Sequence, residues 1–359
     1  YLLGLLHFFR GRRSAAFEGY RDLTLRQALD AHVRDPRLKL VLTADCAHWG
    51  SPPCRTSFVF DAMLRLSYFL GNYYPAGGSQ AFADELARLF EERGGEILTS
   101  TRAERFAVRD GRVAAVELET TRGALRGRRT IACDAAVSNA DLLQTFERLV
   151  APADVGPAAV EEARRLRPTY PCFMTYVGLR DVPAERLAEA QGYYWDSWDP
   201  DEVGRGGLRF KVFAPTLYEP ALAPPGGQIV ILQKVLDLDY ASVGDWPAHK
   251  AAVEERLMAH LDEALPGVSD HVVVQLSATA ATAQRFTSNH EGAMLGWEMS
   301  PAQLGDGRMG VETPVGGLYL AGHWTRPGGG ITPVIVSALH AAEAVAGRPL
   351  GQAPEAGPR

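Results

Sequence analysis

Near the end of the chain the run GGLYLAGHWTRPGGGITPVIVSALHAAEAVAG (residues 316–347) compresses a strand, a turn and a long helix, and it constrains the fold more than any other stretch. Residues 318–321 are short and wholly apolar, the pattern of a strand covered on both faces of its sheet. After it, Gly322 and then Gly328, Gly329 and Gly330 remove the Cβ atoms that would hold another molecule off the backbone. Thr332 reads as a helix N-cap and Pro333 as the first helical residue, so free N–H groups at that helix end should face whatever occupies the turn. Such an end favours an anion or an electron-rich heteroatom. Ala338, Ala341, Ala342, Ala344 and Ala346 keep the helix slim enough to lie close on a sheet. A tight strand-to-helix corner without a ligand is the plainer alternative; three glycines before a Thr-Pro start favour the ligand.

Earlier segments have other textures. The first 70 residues read as mostly helical, with Leu25, Ala28, Leu29 and Val33 at helical spacing until Asp35-Pro36 breaks the pattern. A glycine turn at Gly77 and Gly78 then opens a helix from Ser79, whose apolar face is Phe82, Leu86, Leu89 and Phe90, and Gly94 and Gly95 end it. Ile97 is expected to open a strand. Asp110-Gly111 is a hairpin signal between strands alternating through Phe106 and Val108, and through Val116 and Leu118. A further strand is expected over 131–137, running into the polar loop 138–141. Between 150 and 295, CFMTYVGL, LRFKVF and GQIVILQKV are spaced as antiparallel strands joined by long Pro- and Gly-rich connections. A helix follows, with Val253, Leu257, Leu261 and Leu265 on one face, stopped by Pro266-Gly267. Tyr193, Tyr194, Trp195, Trp198 and Tyr218 are either the wall of a site for a bulky apolar ligand or ordinary core.

Several function classes are excluded or disfavoured. A net charge of −6 over 359 residues, with no long basic run, argues against a nucleic-acid surface, which needs clustered Lys and Arg. Four cysteines without a disulfide framework point to a reducing, cytoplasmic setting. Cys46, His48 and Cys54 in CAHWGSPPC have the wrong spacing for zinc, so no metal is expected there. No apolar run reaches the roughly 18–20 residues of a membrane-spanning helix. The opening YLLGLLHFFRGRR is apolar and then basic, the reverse of a secretory signal. It reads either as a helix packed inside the domain or as a peripheral membrane contact, with Leu2, Leu3, Leu5, Leu6, Phe8 and Phe9 apolar and Arg10, Arg12 and Arg13 placed to meet anionic headgroups. Because the chain begins at a Tyr, it is expected to be a fragment or a processed piece. GDGRMG (305–310) fits G-x-G-x-x-G by letter, but it follows no strand and opens no helix, which makes it a surface turn.

YYPAGGSQAFADELARLFEERGGEI, DGRVAAVELE, VSNAD, APPGGQ, FTSNHEGAMLGWE and GGLYLAGHWTRPGGGITPVIVSALHAAEA follow one another in the order and spacing of the FAD-dependent phytoene desaturase, carotenoid isomerase and retinol saturase superfamily. The chain resembles that superfamily over nearly its whole length. The resemblance implies a mixed α/β (α+β) fold, with part of a Rossmann-type FAD-binding domain (71–148 and 296–359) interleaved with a substrate domain. That second domain would comprise helices (1–70) and an antiparallel sheet with further helices (149–295). By the same resemblance Gly77 and Gly78 form the turn at the junction of the two domains, and the strand near Ala103 meets the adenine. Gly322, His323, Gly329, Gly330, Ile331, Thr332 and Pro333 would wall the isoalloxazine and ribitol. Flavoproteins of this type often carry Asp after Gly322, where this chain has His323. Family members normally open with a strand, a GxGxxG turn and a helix that bind the pyrophosphate. This chain begins after them, leaving that grip to a preceding segment or a second chain.

The implied activity is FAD-dependent desaturation, saturation or isomerisation of a carotenoid, retinoid or similar apolar polyene, with the flavin carrying the redox chemistry and the protein excluding water. No catalytic nucleophile is required. Glu298, Arg285 and His323 are the ionisable groups nearest the flavin-side motifs and are the candidates for an acid or base. Two alternatives share these residues: a non-catalytic polyene-binding or partner subunit, and an amine-oxidase-like flavoenzyme on a polar substrate.

Overall fold

The computed structural model describes residues 19–350 except 70, 124 and 125, so the apolar and basic opening stretch lies outside the described residues. The first helix among the described residues, α1 (Leu25–His32), begins at a reciprocal cap: Thr24 accepts from the Gln27 N–H, and the Gln27 side chain accepts from the Thr24 N–H. Asp35 caps α2 (Pro36–Thr43) and Ser57 caps α3 (Phe58–Tyr68), so each helix starts at a short polar side chain followed by apolar spacing. Leu25, Ala47, Trp49 and Tyr170 bury together with Val203, Leu208 and Val235, which fixes this helical layer onto the central sheet. Helix α4 (Gly78–Glu92) follows the glycine turn. Its expected core face is not covered: Phe82, Leu86 and Phe90 remain largely open to solvent.

Strands β1 (Thr101–Arg109), β2 (Arg112–Thr120) and β3 (Gly127–Ala132) form an antiparallel sheet in that order. Asp110 and Gly111 both take positive φ, as a two-residue hairpin turn of this twist requires. Ile97 lies outside the strand. The register pairs Thr101 with Thr120, where β2 ends, and past that pair the Thr121 N–H donates to the Ser100 carbonyl at 2.9 Å, so the pairing stops short of Ile97. The single strand expected over 131–137 is two strands in two sheets. After Ala132 the chain changes partners, and β4 (Ala136–Ser138) runs parallel to β10 (Leu318–Leu320). Short helices α5 (Leu142–Gln144), α6 (Pro152–Val155) and α7 (Pro157–Arg165) then pack Leu142, Val155 and Val160 beneath Leu318 and Leu320.

The larger sheet contains β5 (Cys172–Arg180), β6 (Gly192–Trp195), β7 (Leu208–Phe213), β8 (Gly227–Val235) and β9 (Val272–Ala278), in the antiparallel order β6-β7-β8-β5-β9. Helix α8 (Ala184–Ala190) links β5 to β6, and α9 (Trp246–Ala264) crosses one face of the sheet. Val253, Leu257 and Leu261 of α9 are fully buried against Phe173, Val177, Phe210 and Leu232. Each is worth roughly 1.5–3 kcal/mol relative to exposure. On β7, Phe210 and Val212 face α9 and Lys211 and Phe213 face the other way, while the register shift opposite Tyr194 and Trp195 lets Arg209 reach Glu263 of α9 at 2.6 Å and turns Leu208 into the cluster beneath the helical layer.

The aromatic question therefore divides by face. Tyr194 is core, stacked on Phe210 at 4.7 Å, and Trp195 is fastened by its Nε1–H to the Ala44 carbonyl at 3.2 Å. Tyr193 turns to the face away from α9, and Tyr218 is exposed, stacked on Phe213. Helix α10 (Ala280–Thr287) and a long loop lead from β9 to β10, after which α11 (Ile331–Ala346) closes the described chain. That helix starts earlier than expected: Val334 N–H donates to the Gly330 carbonyl at 3.0 Å, so Gly330 is the N-cap and Thr332 and Pro333 lie inside the first turn. Among the described residues no helix is long and apolar enough to cross a membrane, and no cluster of three or more His, Cys, Asp or Glu could hold a metal.

Candidate functional site

The site is built where the parallel pair β4–β10 hands over to α11. Leu320 pairs with Ser138, Ala321 N–H donates to the Ser138 carbonyl at 2.9 Å, and the chain then turns sharply at Gly322. Gly322 sits at φ +95, its N–H donates to Ser337 Oγ at 2.8 Å, and a Cβ there would stand 2.0 Å from Asn139 Oδ1. This position therefore couples both halves of the VSNAD and AGHW motifs in one corner.

The glycine run plays a different part from the one its letters suggest. A Cβ on Gly328 would meet Arg308 Nη1 at 2.5 Å and Met299 Sδ at 2.7 Å, and one on Gly329 would meet the Leu295 carbonyl at 2.5 Å. Two of the three glycines thus make room for this chain's own atoms, which press the turn from behind and hold it in one shape. In front, the first turn of α11 has no side-chain cap, and Ile331 and Thr332 are exposed. An uncapped end of a sixteen-residue helix presents open N–H groups to an electron-rich neighbour.

Arg308 is the residue that sequence reading missed. It belongs to the GDGRMG turn, of which Gly305–Gly307 is indeed a surface 3₁₀ turn, yet Arg308 itself is 1% exposed. Its Nε–H donates to the Gln303 carbonyl at 2.8 Å and Nη2–H to the Trp297 and Glu298 carbonyls at 3.2 and 2.7 Å. Nη1 has no partner among the described residues and lies against Gly328. Burial without a carboxylate pulls this guanidinium down to about 10. At neutral pH it remains a buried cation with an unused donor beside the glycine turn.

The remaining candidates fall in different places. His323 is half-buried with Trp324 edge-on at 5.1 Å, and burial together with the Arg308 charge holds it down to about 4, so it is neutral near pH 7. Trp324 is locked edge-on to Trp297 at 4.6 Å. Glu298 is 2% exposed and its carboxylate accepts from Arg55 Nε at 2.9 Å and Nη2 at 2.6 Å, so it is engaged in an ion pair and is not a free acid or base. Arg285 is exposed on α10 and lies over the Phe286 ring at 5.5 Å. Gly77 N–H donates to Glu219 Oε2 at 2.8 Å, and Gly78 abuts Leu222, which ties that turn to the loop preceding β8. Ala103 is half-buried beside a bulge in β1, where the ladder skips to Arg105. Cys46 is buried and Cys54 exposed, with burial raising both thiols.

Gly296 supplies a direct test of how tightly the corner is held. At φ +73, its Cβ would lie 2.5 Å from the His323 carbonyl oxygen, a backbone atom that cannot swing away. Gly94 shares a positive φ but opens onto empty space. Gly296→Ala should therefore cost at least about 3 kcal/mol in urea unfolding, against about 1 kcal/mol for Gly94→Ala. Equal losses would show that the corner yields.

Solved structures with this architecture include an oxidoreductase from Methanosarcina mazei (TM-score 0.62, 20% identity, covering 94% of this chain and 71% of that one). Another is cyclohexylamine oxidase from Brevibacterium oxydans (TM-score 0.57, 15% identity, 92% and 68%). In sequence the chain is 28% identical over 322 residues to the lycopene-forming phytoene desaturase of Pseudescherichia vulneris, covering 87% of this chain and 64% of that protein. It is also 28% identical over 337 residues to the all-trans-zeta-carotene desaturase of Myxococcus xanthus, covering 89% and 61%. The chain thus spans less than two thirds of the length of these relatives. The fold of the flavin-dependent oxidoreductases, the glycine corner and a match over residues 14–346 agree, and the chain belongs to the flavin containing amine oxidoreductase family.

Proposed function

We propose that this protein is an FAD-dependent oxidoreductase that desaturates an apolar polyene of the carotene type. The observation that carries the reading is the continuity between the glycine corner and the outer face of the large sheet. Leu295 abuts Gly329, and the neighbouring Met294 Sδ accepts from Gln233 Nε2 at 3.6 Å on β8. From Gln233 the outer face extends over Met174, Tyr176, Ile231 and Leu276, an apolar surface beside a cofactor-type turn. The carotene desaturase relatives support the same substrate class.

The residues present fit a flavin. The uncapped start of α11 and the turn at 328–330 would meet the electron-rich edge of the ring, while Gly322 and His323 would flank it. The orphaned Arg308 Nη1 behind Gly328 is the donor set's one buried cation. A bound flavin supplies the two-electron acceptor for the C–H bonds of the polyene. This chain's own groups hold the apolar substrate against the sheet, keep water from it and set the positive field behind the turn. Neutral His323 can donate or accept one hydrogen bond without bringing a charge into the apolar surroundings. We assign residues 71–148 and 296–350 to the cofactor half and the helices with the large sheet to the substrate half.

The test is a paired assay on the purified chain incubated with FAD. Retained flavin absorbance after gel filtration, together with conversion of phytoene or zeta-carotene to products absorbing at longer wavelength, is the expected result. Flavin bleaching by cyclohexylamine or putrescine, with no polyene conversion, would sink the reading.

A further inference from the structure

The middle rows of the large sheet's outer face are apolar, and the face turns polar toward β6 and again at Arg180, the exposed end of β5. Register rows place Leu276, Tyr176, Ile231 and Phe213 side by side across four strands, and Val274, Gly178 and Ile229 in the next row. Leu276 is 66% and Tyr176 41% exposed, while at the other end Phe213 is flanked by the Tyr74 and Tyr218 rings at 6.2 and 5.8 Å, and the row is roughly 15 Å wide at the usual spacing between strands. The adjoining row runs Met174, Gln233, Lys211, Tyr193, and it becomes polar toward β6.

At that end Lys211 Nζ lies over the rings of Tyr193 and Phe213, at 5.5 and 5.7 Å from their centroids, and contacts His48 Nε2. Tyr193 Oη is 2.8 Å from the same nitrogen. The cluster carries a cation with no ion-pair partner among the described residues. Asp45 is the acid that acts on both Lys211 and His48, and its carboxylate accepts from Arg65 at 2.9 Å. Burial, with Lys211 nearby, holds His48 down to about 4, so the imidazole does not add a second charge near neutral pH. An ammonium has three N–H donors, and one contact to His48 leaves two for a ligand. A half-buried cation with spare donors at the edge of an apolar surface is matched by a molecule that is apolar along its length and anionic at its end.

The geometry points to a subsite formed by Lys211, Tyr193 and His48 that binds the terminal carboxylate of an elongated apolar molecule lying across β9, β5, β8 and β7. This rests on the apolar-substrate reading and adds to it a recognised end group: the site takes polyenoic acids in preference to pure hydrocarbons. Gln233, between Lys211 and Met294, connects the subsite to the glycine corner, so the held end of the ligand is the end nearer that corner.

The experiment uses the full chain and the fluorescent polyene cis-parinaric acid beside its methyl ester, titrated near neutral pH. The acid should bind about tenfold tighter than the ester, the value of one charged hydrogen-bonded contact. Lys211→Met should bring the ratio close to one while leaving ester affinity within about twofold, and Lys211→Arg should keep the preference. If Lys211→Met does not fold, Tyr193→Phe, which removes only the hydroxyl, should still reduce the ratio. Equal binding of acid and ester by the native chain, or a preference that survives Lys211→Met, overturns the subsite while leaving the apolar-substrate reading intact. Failure of both probes to bind overturns the two together.

Discussion

Arg55→Met should destabilise the protein by about 3–5 kcal/mol, because it strands the Glu298 carboxylate in a position that is 2% exposed. Arg55 gives Glu298 two N–H donations and lies over the Tyr170 ring at 4.9 Å, so the single change removes charge, donors and packing together. The loss should depend on pH, and its sign can be worked out. Burial raises the Glu298 carboxyl above its ordinary value even with Arg55 present, and removing Arg55 raises it further. Between the unfolded and folded pKa values the folded state then binds more protons, so stability falls as pH rises through that window. The variant should therefore be hurt more at pH 8 than at pH 5, where a protonated Glu298 needs no counter-ion. Arg55→Met combined with Glu298→Leu should recover most of the loss, since an apolar pair of similar volume leaves no buried charge behind. Chemical denaturation of the two single variants and the double variant closes the cycle. A loss that is the same at both pH values would mean that Glu298 finds another donor.

That outcome also bears on how much the sequence can reveal. Glu298 stands in a flavin-side motif and looked available for proton transfer; its partner, 243 residues away, has no local signal. Local chemistry was legible wherever the physics is local. Asp110-Gly111 announced its hairpin, and Val253, Leu257 and Leu261 the buried stripe of α9. Partnering between distant strands was not. The letters from 131 to 137, apolar but for Asp134, are consistent with one strand, and the parallel pairing of Ala136–Ser138 with Leu318–Leu320 divides them. Lys211 in LRFKVF reads as the solvent side of an alternating strand. What makes it a candidate ligand is the apolar row beside it, assembled from Tyr176, Ile231 and Leu276 on three other strands. The glycine run was legible as a close approach but not as to what approaches, since Gly328 and Gly329 yield to Arg308 and Leu295 of the same chain.

Arg308 is the strongest case, and its replacement should separate structure from cofactor chemistry. Charged residues in G-D-G-R turns ordinarily point to water, so nothing in the letters marks this one as buried. Its hydrogen bonds go to the backbone carbonyls of Trp297, Glu298 and Gln303, which any side chains could supply. Arg308→Met should leave the Trp297 and Gln303 carbonyls without this donor and the Glu298 carbonyl with the Gln303 amide alone, at a cost of about 3–5 kcal/mol in unfolding experiments. Arg308→Lys should cost less, because a shorter point charge can keep part of the set. The two variants divide on the flavin. Removing the cation behind Gly328 disfavours added electrons on a bound ring, so Arg308→Met should lower the flavin reduction potential by roughly 20–60 mV and weaken FAD retention by about tenfold. Arg308→Lys keeps the charge and should keep most of the potential. Because the unpartnered Nη1 makes no contribution to internal bonding, a purely structural arginine would move the unfolding midpoint and leave the potential where it was. Spectroelectrochemical titration of the FAD-loaded variants reads the potential directly, and an unchanged value in Arg308→Met would remove Arg308 from the flavin's electrostatics while leaving its role as the brace behind the glycine turn.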